Sequence, residues 1–300
     1  MTVATSRYDK QRANVSEDYA RAVKSPATGC CSSPQAAASC CSPAPKGVAA
    51  KLAGYSDREI AALPAEAVVN SFGCGNPLAF SAVKPGEVVL DLGSGAGIDL
   101  LLAAKQVGRR GKVIGVDMTD AMIAKARQNI RAAGLHNVEV RKGIIEALPV
   151  EDSSVDWVIS NCVINLSPEK PRVFAEIARV LKPGGRMLVS DIVAEELPPE
   201  IARNRHLYSS CLAGAISERQ YLAGLRQAGL VEVEVKDRLV YDTLQLAGFV
   251  GSELKVAKTG SRGATLATLA ARWAPRLSGK IASVKVAARK PRQTARKVRG

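Results

Sequence analysis

Two sets of residues in this chain have the types and spacing to do chemistry. The first is Val88-Val89-Leu90-Asp91-Leu92-Gly93-Ser94-Gly95-Ala96-Gly97, an apolar strand running into a glycine-rich loop, with helix-forming residues 98–107 behind it. Glycines there let the backbone turn sharply and approach a ligand with no Cβ in the way. Asp117 ends the next predicted strand, where a carboxylate can grip ribose hydroxyls. The spacing is G-x-G-x-G rather than the G-x-G-x-x-G of a dinucleotide loop, and Asp91 stands just ahead of it. A carboxylate at that point would repel a pyrophosphate resting on the helix N-terminus. It suits an ammonium group, which favours S-adenosylmethionine over a dinucleotide.

The second set is made of cysteines. Cys74 lies in Phe72-Gly73-Cys74-Gly75-Asn76-Pro77, Cys162 in Ser160-Asn161-Cys162-Val163-Ile164-Asn165-Leu166, and Cys211 in Tyr208-Ser209-Ser210-Cys211-Leu212-Ala213-Gly214. Cys162 follows the fourth predicted strand, where methyltransferases of base amino groups carry Asn/Asp-Pro-Pro-aromatic, and it takes the place facing a transferable methyl. The three cysteines are expected to converge on one face of the sheet. A buried cysteine is also an ordinary small hydrophobe, so packing stays open as a reading for each. The other four, at 30, 31, 40 and 41, form adjacent pairs in a Ser-, Pro- and Ala-rich stretch; no C-x-x-C pair occurs, which argues against a zinc knuckle. A reduced state is expected for all seven, without a structural disulfide framework. His136 and His206 receive no role.

The elements that must position these groups read as alternating strands and helices. Strands are predicted at 87–91, 112–116, 138–141, 155–159 and 186–190, with helices at 98–107, 119–133 and 169–181, the last closed by Lys182-Pro183-Gly184-Gly185. Such alternation implies a parallel sheet with right-handed crossovers. Helices at 198–213 and 217–228 follow, then strands at 231–240 and 280–288 that suit an antiparallel sheet edge. Ahead of the sheet, 7–24 reads as a polar, weakly amphipathic helix, 25–50 as flexible, and Ser56 with Glu59 as a capping box. The expected organisation is an N-terminal helix with a cysteine-containing segment (1–54), a cofactor-binding core (55–195), acceptor-side helices with C-terminal strands (196–290) and a basic tail (291–300).

Only 4% of residues are aromatic, so the core must be built from Ala, Val, Leu and Ile. No apolar run is long enough for a membrane span and the N-terminus is polar, so neither a transmembrane helix nor a secretory signal is expected and the location is read as cytoplasmic. The net charge of +14 is not spread over the chain: residues 255–300 hold 13 Lys and Arg and no acid, leaving the remainder nearly neutral. A basic end can bind RNA or an acidic membrane or simply keep the chain soluble. The neutral body points to no specific nucleic-acid partner.

Asp91-Leu92-Gly93-Ser94-Gly95-Ala96-Gly97 closely resembles the first motif of class I methyltransferases. That resemblance implies an α/β, Rossmann-like fold with a mostly parallel seven-stranded sheet flanked by helices, plus a small C-terminal subdomain. It implies that Asp91, Gly93, Ser94, Gly95 and Gly97 surround the cofactor, that Asp117 and Met118 hold its ribose and adenine ends, and that Ile145 and Glu146 flank the adenine. Together with GCGNP at 73–77, SNCVINLSPEK at 160–170 and YSSCLAGA at 208–215, the motif makes the chain resemble the arsenite methyltransferases over roughly residues 8–250. By that resemblance Cys162 and Cys211 bind As(III), Cys74 is the third thiolate, and the enzyme makes mono- and dimethylated arsenicals in detoxification. The pairs at 30–31 and 40–41 also fit a family whose members often carry N-terminal cysteines. Trivalent arsenic is soft, so thiolates are its natural ligands, and its lone pair needs no general base. Thioredoxin or glutathione is implied as the reductant of the disulfides that turnover leaves. The chain departs from the family at Ala213, where a second glycine is usual, and over 251–278 and 291–300. Two other readings stay open: a class I methyltransferase of a sterol, quinone or similar organic acceptor, and a metalloid-sequestering protein without turnover. A monomer is the default expectation.

Overall fold

The computed structural model describes residues 6–24, 54–70, 73, 75–203, 208–209, 211–243, 246 and 273–292. Five parallel strands come first: β1 (Val88–Leu92), β2 (Lys112–Asp117), β3 (Val138–Lys142), β4 (Val155–Asn161) and β5 (Leu181–Ala194). β6 (Val231–Val240) and β7 (Ile281–Arg289) complete one seven-stranded sheet in the order β3-β2-β1-β4-β5-β7-β6, with β7 antiparallel to both its neighbours. Helices among the described residues include, in chain order, α1 (Arg7–Lys24), α2 (Asp57–Ala61), α3 (Ala65–Val69), α4 (Ile98–Val107), α5 (Asp120–Ala132), α6 (Lys170–Val180), α7 (Pro199–Ala202) and α8 (Glu218–Gln227). Among the described residues no helix is long and apolar enough to cross a membrane.

The central strands are apolar at almost every position because helices cover both faces of the sheet. On one face Leu90, Leu92, Val158 and Val189 pack with Phe174, Ile177 and Tyr221, and the Phe174 and Tyr221 rings meet edge to face at 5.2 Å. On the other, Val89 and Ile159 pack with Leu100, Leu101 and Ala104 of α4. The edge strand β6 is largely exposed but carries Glu232, Glu234, Lys236, Asp237 and Arg238 and two register shifts, which guard an open edge against pairing with another chain. Ser56 starts α2 as the spacing predicts: its hydroxyl accepts the Glu59 N–H at 3.2 Å while the Glu59 carboxylate accepts the Ser56 N–H at 2.7 Å. Ser217 and Gln220 repeat the device at α8.

Two local outcomes differ from the sequence-based expectation. Lys182–Gly185 does not separate a helix from a strand; it bulges within β5, whose pairing with β4 jumps from Val155↔Leu181 to Trp157↔Arg186. Of the helix expected over 198–213, the described residues show Pro199–Ala202 and a helical Tyr208, with residues 204–207 and 210 outside the description, and Cys211 sits in a turn rather than on a helix. Its φ of +62° is incompatible with a right-handed helix. A Cβ on Gly214 would lie 2.0 Å from the Asn165 carbonyl oxygen, so contact with the rest of the fold overrides local helix propensity there.

Sheet order reverses between β1 and β4, and the loops that leave the carboxyl ends of β1, β2 and β4 therefore face a common crevice.

Candidate active site

A cavity of about 930 Å³, counting the part open to solvent, fills that crevice. Asp91, Gly93, Ser94 and Gly95 line it from β1 and its loop, Asp117 and Met118 from the end of β2, and Ile145 and Glu146 from the loop after β3. Gly97 does not reach it; at φ +92° it turns the chain into α4. The loop is held by the Gly93 and Ser94 N–H groups, which donate to the Val116 carbonyl at 2.8 and 3.1 Å. Gly93 has φ +65°, and a Cβ there would meet the Val163 methyls at 2.5 Å, so only glycine lets the loop pass under the cysteine-bearing segment.

Three carboxylates gather at one end. Asp91 is buried, and burial together with the charges of Asp99 and Asp117 holds its pKa well above the usual carboxylate range. Burial pushes Asp99 up to about 6, against the opposing hydrogen bonds from the Tyr55 hydroxyl at 2.8 Å and the Asn161 amide at 3.3 Å. Asp117 is also raised by burial, opposed by the Thr119 and Gly95 N–H groups that donate to its two oxygens at 2.8 and 2.9 Å. The Thr119 hydroxyl and the Met118 N–H oppose the rise as well. Among the described residues no cation is paired with any of the three, so this end of the cavity is shaped for a positively charged group.

The other end is closed by α1. The Arg12 guanidinium bridges Glu146, at 3.2 Å, and Glu169. Glu146 is buried and also accepts the Ser167 hydroxyl at 2.6 Å. Arg12, Val15 and Tyr19 line the cavity from above, and Ser16 shares a hydrogen bond with Thr119 at 3.2 Å.

Cys162 lines the cavity directly after β4. Cys211, 3% exposed, donates its thiol hydrogen bond to the Cys162 carbonyl, so the structure brings these two residues together. Both have left-handed backbones, φ +58° and +62°, a conformation that non-glycine residues hold only where their surroundings impose it and that concentrates at functional sites. Cys162 is in a disulfide whose partner lies outside the described residues, contrary to the expectation that all the cysteines are reduced, while Cys211 takes part as a thiol. Cys74, predicted as the third thiolate, lies outside them too, as do Cys30, Cys31, Cys40, Cys41 and His206. Among the described residues no three His, Cys, Asp or Glu side chains are placed to hold a metal ion. The glycines on either side of position 74 are described. A Cβ on Gly73 would meet the Asn161 amide at 2.2 Å, and the Gly75 N–H donates to the Asn161 oxygen at 3.1 Å, so this segment is pinned to the residue preceding Cys162.

Asp99, Tyr55, Asn161 and Arg12 were not selected from the sequence. Asp99 reads as an ordinary polar position near the start of α4, and Arg12 lies 134 residues from Glu146. Asn161 is the exception, because it stands beside Cys162 in a segment already singled out.

The family model of a methyltransferase domain matches residues 83–236. Over 197 residues the chain is 48% identical to an arsenite methyltransferase of Halobacterium salinarum, covering 65% of this chain and 50% of that protein. It is 38% identical over 203 residues to an arsenite methyltransferase of Aquipseudomonas alcaligenes, covering 62% and 58%. The chain thus spans about half the length of the curated relatives it matches. Among solved structures, an arsenic(III) S-adenosylmethionine methyltransferase from Chlamydomonas reinhardtii superposes with a TM-score of 0.56 at 32% identity, covering 83% of this chain and 74% of that one.

Proposed function

From a chain that belongs to the methyltransferase-domain family and, within it, to the arsenite methyltransferases, we propose an enzyme that transfers methyl groups from S-adenosylmethionine to thiolate-bound As(III). The observation that carries the acceptor half is the meeting of Cys162 and Cys211 beside the cavity.

The residues suit that donor. Asp91 and Asp99 receive the ammonium end, Asp117 the ribose hydroxyls, and Met118, Ile145 and Glu146 the adenine, while Gly93 and Gly95 admit the ligand against bare backbone. Bound there, S-adenosylmethionine supplies an electrophilic sulfonium methyl. The cysteine thiolates hold the soft arsenic atom with its lone pair available, so positioning and exclusion of water are the protein's main contributions. Methylation takes two electrons from As(III). A pair of thiols returns them and ends as a disulfide, which an external thiol reductant of the thioredoxin or glutathione class must reopen. Cys74 is proposed as the third thiolate, and mono- and dimethylated arsenicals as the products of a cytoplasmic, monomeric enzyme of arsenic detoxification.

The decisive experiment incubates reduced protein with methyl-labelled S-adenosylmethionine and arsenite. Labelled methylarsenicals are expected; label passing only to organic acceptors, or none at all under reducing conditions, overturns the proposal.

The acid cluster adds a pH dependence. In the free protein burial makes Asp91 and Asp99 hold their protons to higher pH than an ordinary carboxylate does, Asp99 up to about 6. An ammonium beside them favours the ionised forms, so ligand binding releases protons and weakens as pH falls through that value. Calorimetry with S-adenosylhomocysteine should show affinity falling by up to about tenfold per pH unit for each linked proton below the folded pKa. A flat profile would count against the ammonium assignment.

A further inference from the structure

Helix α1 touches both halves of the site. Around the donor cavity it makes the Arg12, Ser16 and Val15 contacts described above; one turn further on it reaches the loop that carries Cys211. The Ser209 hydroxyl donates to the Asp18 carboxylate at 2.7 Å, and the Tyr19 hydroxyl donates to the Ser209 carbonyl at 3.1 Å. Asp18 is one of only two buried residues in the helix, the other being Val15. The bond it accepts is charge-assisted and shielded, which makes it stronger than an exposed neutral one.

We propose that Asp18 and Ser209 form a clasp through which α1, seated over the filled donor cavity, holds the Cys211 turn in its arsenic-binding conformation. The inference rests on the reading of Cys211 as an As(III) ligand. Two features make the clasp more than packing. First, α1 is a polar helix with little apolar burial of its own, and a helix of that kind is seated by its partners rather than by intrinsic stability. A donor beneath Val15 and Tyr19 adds contacts that only the seated state makes, so occupancy shifts the helix toward that state. Second, the left-handed backbone of Cys211 persists only where its surroundings determine it, and Ser209 is two residues away. Asp18 and Ser209 are thus positioning residues. They touch neither methyl donor nor arsenic, but make organisation of the acceptor turn conditional on the donor.

The test is hydrogen exchange of the reduced full-length protein with and without S-adenosylhomocysteine. In the parent protein the ligand should slow exchange in α1 and, in parallel, at amides 211–216. In Ser209→Ala it should still slow α1 while leaving 211–216 nearly unchanged, and Ser209→Thr, which keeps the hydroxyl, should restore the coupling. Arsenite affinity should follow, rising roughly tenfold with S-adenosylhomocysteine in the parent protein and about twofold or less in Ser209→Ala. Equal protection of 211–216 in the alanine variant and the parent, or failure of threonine to restore it, overturns the clasp. Failure of the parent protein to bind arsenite overturns the As(III) reading instead, because the exchange measurement uses only the donor analogue.

Discussion

Replacing Cys211 by serine is expected to slow arsenite methylation by on the order of 100-fold or more, while affinity for S-adenosylhomocysteine stays within about twofold of the parent protein. The split follows from where the thiol sits. Cys211 is buried among Ile192, Leu212 and Trp273 and donates to the Cys162 carbonyl, away from the carboxylates and glycines of the donor cavity. Serine is nearly the same size and its hydroxyl can make the same hydrogen bond, so the stability cost should be about 1 kcal/mol or less. Its hard oxygen, however, is a poor ligand for a soft metalloid. The measurements are initial rates under saturating reductant, calorimetry with the donor analogue and a thermal melt. A serine variant that turns over at the parent rate would make Cys211 the packing residue that its apolar surroundings alone suggest. One that loses donor affinity as well would show that the two subsites are not separable.

The second large effect concerns the donor. Asp117→Ala should weaken S-adenosylhomocysteine binding by about 3 kcal/mol, roughly two orders of magnitude, given up to ~1.5–3 kcal/mol for each hydrogen bond to a charged group. Two opposing terms decide what happens to the fold. Alanine orphans the Gly95 and Thr119 N–H groups, each at a cost of about 1–3 kcal/mol if left dry. It also removes a buried carboxylate whose raised pKa shows that the folded state disfavours its charge. With both N–H groups beside a cavity where water can replace the carboxylate, a modest net destabilisation is expected. Asp117→Asn, which keeps one acceptor oxygen, should fall between parent and alanine in affinity. Unchanged affinity in the alanine variant would refute the ribose assignment, and arsenite binding measured in parallel separates that result from general unfolding.

What the sequence makes legible depends on how local the cause is. Residues 87–91 and 155–159 read as central strands because burial on both faces makes them mostly apolar and β-branched. Ser56 with Glu59 reads as a helix start because the capping box is complete within four residues. The glycine loop is legible for the same reason: a short backbone path imposes a short motif. Features caused by distant contacts were hidden. Nothing in Arg7–Lys24 says that it roofs a cavity built by residues from Asn70 to Ser167. Cys211–Gly214 follows a helical Tyr208, and the turn there goes with the Asn165 carbonyl against Gly214 and the left-handed Cys211, neither of which a local motif records. The two C-terminal strands were legible as an antiparallel pair, but the insertion of β7 between β5 and β6 follows from strand pairing that no motif records.

Gathering Asp91, Asp99 and Asp117 around one small volume has a consequence for the life of the protein outside the reaction. With no cation among the described residues to balance them, ionising all three together is costly, and a ligand with an ammonium end would offset that cost on top of the usual gain from binding only the folded state. Unfolded chains are what proteases remove, so a few kcal/mol at this level changes steady-state amount as well as activity. On the proposed donor assignment, methyl-donor supply is expected to act twice over, through occupancy of each molecule and through how many molecules survive to be occupied, and protein half-life measured with and without donor depletion checks it.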